Sequence, residues 1–334
     1  MKVVADLGGT HSRFGLLKNG ELIEGSVRKY VSIKFSTPNE ALSAYCRELG
    51  IEFGVTLLIA TAGTYNPQSK VWEYVNEENE ELHSWKLSID SLENDGHSVS
   101  LILNDFEAAT WGMSTLSAQH IIELKPTDHD MPKYPKCLTG PGTGLGIAFL
   151  EVNERDELSV KKTFGGHKLA TPATEEHWQI IKNIKANKAI VGDVVDEDLI
   201  SGQGLFDIYQ AYCRLNNKEQ SFQTKNEMFN RLESVELKEA LRLFHEFFGT
   251  YLSTLFIPNH TEGGFYLVGG VTDTLMQKNL LDTDTLITFM IPDVVEPVKK
   301  VLQKIGVSYI ADEYIPLKGL VVAEENNVKT VFNS

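Results

Sequence analysis

The sequence predicts an α/β protein built on a mixed sheet, and three observations carry that expectation. Apolar segments of strand length alternate with helical segments, several of those strands end in an acid, amide or hydroxyl, and three run straight into a glycine-rich turn. Ligands of such sheets sit beyond the carboxyl ends of the strands. Asp6, Thr61 and Asp105 all fall at such ends.

The chain has 334 residues, enough for two domains or one large one, and its formal net charge is −15. That charge argues against nucleic acid as a partner. A small anionic ligand is still allowed, because a loop of backbone N–H groups can overrule the global field locally. No apolar run reaches the roughly eighteen residues of a membrane span. The chain starts a strand within two residues, without a basic segment followed by an apolar one, so no signal peptide is expected. Cys46, Cys137 and Cys213 are widely spaced, odd in number and form no CxxC pair. They read as free thiols of a reducing cytoplasm rather than as a metal cluster.

Taken in order, Val3–Leu7 is an apolar strand running into Gly8-Gly9-Thr10, and Arg13–Leu17 leaves at once. Asn19-Gly20 is a hairpin turn, and Glu21–Tyr30 is expected as a third strand. Thr37-Pro38-Asn39-Glu40 has the form of a capping box with proline at the first helical position, opening a helix that Gly50 stops. Val55–Ala60 and Val99–Leu103 read as buried strands, with a short strand near Val71–Val75 and a helix near Ser88–Glu93 between them. Phe106–Met113 is helical, and Pro126–Pro135 is a surface connection. Lys136–Thr139, Ile147–Val152 and Leu158–Thr163 are strands. The stretch from Thr174 to Phe256 is helical, with Leu241, Phe244, Phe248, Leu252 and Leu255 at helical spacing. Phe265–Val268 is a strand, followed by a helix near Val295–Lys304, a strand near Val307–Ile310 and a short helix starting at Pro316.

The chemistry-bearing candidates gather at the turns. In Asp6-Leu7-Gly8-Gly9-Thr10 the glycines permit a tight turn and a close approach of the main chain. Thr10 and the turn add donors that suit a phosphate, and Asp6 is placed to face a metal held by that phosphate. The ordinary alternative is a plain hairpin. Gly140-Pro141-Gly142-Thr143-Gly144-Leu145-Gly146 carries four glycines and a hydroxyl, yet fits neither the Rossmann fingerprint nor a Walker loop. A third such turn follows at Gly269–Thr272. Asp105, beside Asn104 at a strand end and a helix start, is the best candidate base, with a simple helix N-cap as its alternative. His167, after Gly165-Gly166, could bond a ligand hydroxyl or be a surface turn residue. Glu197, within the acidic run Asp193–Asp198, reads from composition alone as part of a solvated face. His245-Glu246 lacks the second histidine of a zinc-protease motif and is set aside.

Together these pieces resemble the bacterial glucokinase family, within the actin-like, hexokinase and heat-shock ATPase superfamily. Asp-x-Gly-Gly-Thr-x-x-Arg is similar to its first phosphate loop, Asn104-Asp105-Phe106 to its sugar-binding and catalytic motif, and Gly140–Gly146 to its second phosphate loop. Gly165-Gly166-His167 and Glu197-x-x-x-Ser201-Gly202 are similar to two sugar-contact segments, and Val268-Gly269-Gly270-Val271 to the adenosine segment. The ordered set spans most of the chain.

The resemblance implies a two-domain actin-like ATPase fold of the ribonuclease H-like kind, closing on a central cleft. The domains would be 1–104 with 315–334, and 105–314 carrying a helical insertion. It implies ATP-dependent phosphorylation of a hexose 6-hydroxyl in the cytoplasm, with glucose as the default acceptor and Asp105 as base. Asn104, Asp105, His167 and Glu197 would hold the sugar. Asp6, Gly8, Gly9, Thr10, Gly142, Thr143 and Gly144 would hold the phosphates, Gly269 and Gly270 the adenosine, and Asp6 would hold Mg²⁺ through water. It also implies a homodimer.

Three positions depart from the family pattern. Phe164 stands where a sugar-binding Glu is usual, Leu82 where an Asn precedes His83-Ser84-Trp85, and Thr64 where a Pro is usual. A phenyl ring accepts no hydroxyl hydrogen bond, so an N-acetylhexosamine, whose acetamido methyl such a ring could pack, is a concrete alternative acceptor. A sensor that had lost catalysis is disfavoured by the presence of Asp105.

Overall fold

A computed structural model of the chain describes residues 1–51, 54–66, 68–73, 86–127, 134–187, 192–231 and 233–329. Leu82 and the His83-Ser84-Trp85 segment lie outside the described residues. The chain divides into two compact units, Met1–Leu116 with Asp312–Ser334, and Ser117–Ala311.

The first unit opens with β1 (Lys2–Leu7), β2 (His11–Lys18), β3 (Glu21–Leu22) and β4 (Arg28–Val31). Asn19 and Gly20, with φ of 54° and 84°, make the tight turn that the Asn-Gly pair announces. The single strand expected over Glu21–Tyr30 is instead two short ones. Glu24–Ser26 forms a 3₁₀ turn, and buried Ser26 takes over the strand's hydrogen bonding, its Oγ accepting from Leu16 N and donating to Ile23 O. Then follow α1 (Pro38–Glu48), β5 (Thr56–Thr61), β6 (Thr64–Asn66), β7 (Val71–Glu73), β8 (Lys86–Ser88), α2 (Ile89–Asn94), β9 (Ser98–Asn104) and α3 (Asp105–Gly112). Thr37 caps α1 by accepting from Glu40 N at 3.2 Å. The main sheet runs β3-β2-β1-β5-β9, with β4 also on β2. β1 pairs antiparallel with β2 and parallel with β5, which pairs parallel with β9. The core under this sheet joins Val3, Ala5, Leu7 and Phe14 to Leu42 and Tyr45 of α1.

The C-terminal helix Ile315–Glu325 packs on α3. Glycine makes that approach possible. A Cβ at Gly319 would stand 1.7 Å from Ala108 O, and one at Gly112 would stand 2.3 Å from Ile315 O. This packing places α3 in the first unit, so the expected boundaries at 104/105 and 314/315 fall inside that unit, which extends to Leu116 and resumes at Asp312.

The second unit contains β10 (Ile121–Lys125), β11 (Lys136–Pro141), β12 (Leu145–Val152), β13 (Leu158–Lys162), α4 (Glu175–Asn187), α5 (Gly202–Leu215), α6 (Lys225–Arg231), α7 (Val235–Asn259), β14 (Phe265–Leu267), α8 (Gly270–Gln277), α9 (Thr283–Met290), α10 (Glu296–Lys304) and β15 (Val307–Ile310). Its sheet order is β10-β15-β14-β11-β12-β13. α7, whose apolar positions were legible in the sequence, is the buried spine: Leu241, Phe244, Phe248, Leu252 and Leu255 all lie in the core. β10 and α9 carry no expectation from the sequence, and α8 begins inside the glycine-rich turn expected at Gly269–Thr272, with Gly269 as its N-cap and Gly270 onward helical.

The two sheets repeat one plan. An antiparallel three-strand set (β3-β2-β1 and β13-β12-β11) continues into two parallel strands (β5-β9 and β14-β15), with β10 added in the second unit. In each, the turn after the first strand of the plan is one of the glycine-rich loops. No helix among the described residues is long and apolar enough to cross a membrane.

Candidate active site

The first unit gathers its candidates by register. Leu7 of β1 pairs with Thr61 of β5, and Thr61 with Asn104 of β9, so three strands end at one level. Asp6 and Arg13 are directly opposite on β1 and β2, which puts both side chains on one face. Arg13 Nη1 donates to Asp6 Oδ2 at 3.0 Å, while Asp6 Oδ1 carries no hydrogen bond among the described residues. Asp6 is buried, and that burial raises its pKa against the pull of Arg13.

The loop itself is closed by one bond and braced by a residue with no signal in the sequence. Gly8 N donates to His11 O at 3.1 Å. Ser32, fully buried, donates from Oγ to Gly8 O at 2.7 Å, donates from its backbone N to Thr10 O at 3.0 Å, and lies 3.1 Å from Ser12 Oγ. The N–H groups of Gly9 and Thr10 make no hydrogen bond among the described residues. They are the donors a phosphate needs.

At the end of β9 the two candidates divide the work. Asn104 is the N-cap of α3, its Oδ1 accepting from Phe106 N at 3.0 Å and Glu107 N at 3.4 Å. The cap is therefore Asn104, and Asp105 stands at the first helical position, its Oδ1 2.9 Å from Phe106 N. Burial first, then the charge of Asp6, pushes the Asp105 pKa up to about 6. A carboxylate held there is still ionised at neutral pH and is a stronger base than an ordinary Asp.

The second unit builds its counterpart on the β11–β12 hairpin. Pro141 pairs with Leu145, and Gly142 N donates to Gly144 O at 2.8 Å. As in the first loop, the first glycine's N–H closes the turn, and those of Thr143 and Gly144 make no hydrogen bond among the described residues. The structure thus makes Gly140–Gly146 a tight hairpin whose tip retains its donors. Two further segments crowd this hairpin. Gly202 N, at the start of α5, donates to Gly142 O at 2.9 Å. Gly269, at φ 101°, lies so close that a Cβ would meet Pro141 O at 2.5 Å, while Gly270 is open.

Glu197 is not part of a solvated face. Its Oε2 accepts from Leu145 N at 2.7 Å, and a Cβ on Gly144 would meet that oxygen at 2.5 Å. Its Oε1 lies 3.9 Å from His167 Nδ1, and the His167 side chain is more than half exposed. A carboxylate oxygen and a largely exposed imidazole beside this hairpin can accept from and donate to vicinal hydroxyls. Phe164, 79% exposed, has its ring centroid 6.5 Å from that of His167. Asp6, Gly8–Thr10, Asn104 and Asp105 thus form one cluster in the first unit. Gly142–Gly144, His167, Glu197, Gly269 and Gly270 form another in the second.

The family model for glucokinase matches residues 3–327. The chain belongs to the glucokinase family. It is 30% identical over 276 residues to the glucokinase of Saccharophagus degradans, covering 80% of this chain and 82% of that one. Among solved structures, glucokinase from Balamuthia mandrillaris in complex with glucose superposes with a TM-score of 0.73 at 22% identity, covering 97% of this chain and 93% of that one. A ROK-family glucokinase from Streptomyces griseus in complex with glucose and AMPPNP gives 0.60 at 18%, covering 96% and 97%. The fold is the two-domain actin-like sugar kinase fold, and this glucokinase-family chain is an ATP-dependent hexose phosphotransferase.

Proposed function

We propose that this kinase transfers the ATP γ-phosphoryl group to the 6-hydroxyl of a hexose, with glucose the principal acceptor, and that Asp105 takes the hydroxyl proton. The observation that carries this reading is the division of labour at the end of β9: Asn104 caps the helix and leaves a raised-pKa carboxylate at its first residue. Asn104, His167 and Glu197 would orient the ring. The open N–H groups of Gly9, Thr10, Thr143 and Gly144 would hold phosphates, and Gly269-Gly270 would leave room for the adenosine. Phosphoryl transfer asks mainly for in-line positioning and charge neutralisation, which such donors supply.

Magnesium entering with ATP neutralises phosphate charge. Among the described residues no group of three or more His, Cys, Asp and Glu side chains forms a resident metal site. The lone free oxygen of buried Asp6 suits an ion held through water. Asp105 accepts the proton, Asp6 keeps Asp105 basic through like charge, and Arg13 holds Asp6 in place.

A second acceptor class has an observation in its favour. The exposed Phe164 ring beside His167 offers an apolar surface in place of a hydrogen-bond acceptor, and it favours an N-acetylhexosamine such as N-acetylglucosamine. We assign the protein to the cytoplasm, at the entry of hexose into glycolysis, and to a homodimeric state. The three buried, unpaired cysteines agree with a reducing compartment. A coupled ADP-release assay with Mg-ATP over glucose, mannose, glucosamine and N-acetylglucosamine tests the reading. Turnover is expected with glucose above the others. ATP binding without turnover of any sugar would overturn it.

A further inference from the structure

His167 and Glu197 are far apart in sequence yet face each other, and each is followed or preceded at once by a buried charge. Lys168 follows His167, and Asp196 precedes Glu197. Lys168 Nζ and Asp196 Oδ2 form an ion pair in which the Asp196 side chain is only 5% exposed. The two segments are also joined by backbone. Asp196 N donates to Lys168 O at 3.0 Å, Ala170 N donates to Val194 O at 3.0 Å, and Leu169 bridges Val195. Asp196 O in turn accepts from Leu199 N and Ile200 N, which fixes the turn carrying Glu197.

The pair has a third member. Lys168 Nζ lies 5.3 Å from the centroid of the Tyr251 ring, over its face. Buried Tyr251 places its hydroxyl 3.3 Å from Thr139 Oγ1, which donates to Gly146 O at 2.8 Å, at the base of the β11–β12 hairpin. Asp196–Lys168–Tyr251–Thr139 is thus a continuous polar path from the His167 and Glu197 segments to the phosphate hairpin.

We infer that Lys168 and Asp196 are positioning residues for the acceptor sugar, setting the separation of His167 and Glu197 and anchoring both to the hairpin through Tyr251. This rests on the proposed sugar-binding roles of His167 and Glu197. Neither Lys168 nor Asp196 touches the substrate in this account. Removing one partner leaves a buried charge uncompensated, which destabilises the arrangement of both segments. The larger effect is expected on the acceptor side: the first unit's loop and Asp105 are not in this path, and the tip of the β11–β12 hairpin is closed by its own bond, Gly142 N to Gly144 O, which needs neither Lys168 nor Asp196.

Steady-state kinetics of Asp196→Asn, Lys168→Met and Lys168→Arg on the full chain test the assignment. Measurements are made well above the pH of about 6 to which burial raises Asp196, with its pull from Lys168 intact. Asp196→Asn and Lys168→Met are expected to raise the hexose KM by about 10- to 100-fold, the range seen when supporting partners of a site are removed, and to leave the ATP KM within about twofold. Lys168→Arg, which keeps charge and ring contact, is expected to restore most of the hexose KM. Thermal unfolding of each variant reports folding separately. Folded variants with unchanged hexose KM, or with hexose and ATP KM raised alike, overturn the inference. Its failure is separable from that of the functional reading, because the unmutated protein's sugar turnover tests the latter alone.

Discussion

At the scale of single residues, Asp105 draws its basicity from burial and from the nearby Asp6 carboxylate. A general base works only when deprotonated, so kcat/KM for the hexose is expected to rise with pH through about 6 and level off above it. A pH profile flat through that region would remove Asp105 from the role. The raised pKa also has a stability sign. The folded state holds the Asp105 proton more tightly than the unfolded chain, so keeping Asp105 ionised above about 6 costs folding free energy. Asp105→Asn is therefore expected to raise Tm at neutral pH, as read by thermal unfolding at matched buffer. Phe164 poses the selectivity question. Phe164→Glu supplies an acceptor beside His167 and is expected to shift the glucose to N-acetylglucosamine ratio of kcat/KM towards glucose by about 1–3 kcal/mol, the worth of a satisfied polar contact. An unchanged ratio would take Phe164 out of the sugar pocket.

At the scale of elements, the loops show what a sequence can and cannot reveal. Gly8-Gly9-Thr10 and Gly142-Thr143-Gly144 were legible because glycine and a hydroxyl after an apolar strand have few other uses. Ser32 was not, since its signal is a contact between residues 24 positions apart. Ser32→Ala would leave Gly8 O and Ser12 Oγ without their hydroxyl partner, while the backbone bond from residue 32 N to Thr10 O is kept. It is expected to cost about 1–3 kcal/mol of stability and to raise the ATP KM, as measured by denaturant unfolding and initial rates. An ATP KM unmoved in a destabilised but folded variant would show that Ser32 supports the fold and not the loop's function. Glu197 escaped composition for the opposite reason. An acidic run reads as solvent-facing, and only tertiary contacts, Leu145 N to Glu197 and Lys168 to Asp196, distinguish two of its members. The interrupted strand at Glu24–Ser26 was hidden by a side chain competing for backbone bonds.

At the scale of the molecule, the duplicated sheet plan explains why the site candidates recur as a theme. Each unit offers a turn after the first strand of that plan, β1 or β11, with one N–H closing the turn and two that make no hydrogen bond among the described residues. Periodicity located the individual strands, but their order in the sheets is a matter of long-range pairing that no local pattern encodes. The close approach of α3 to the C-terminal helix, Gly112 against Ile315, is likewise a contact far apart in sequence that no local pattern encodes. The family model, over residues 3–327, spans both units and assigns them to one family. What turns that assignment into a mechanism is the single carboxylate at the start of α3. The most direct measurement is kcat for Asp105→Asn with Mg-ATP and saturating hexose, alongside nucleotide affinity by titration calorimetry. The account expects kcat to fall by about 10²- to 10⁴-fold with ATP affinity little changed, and a variant turning over at the full rate would contradict it.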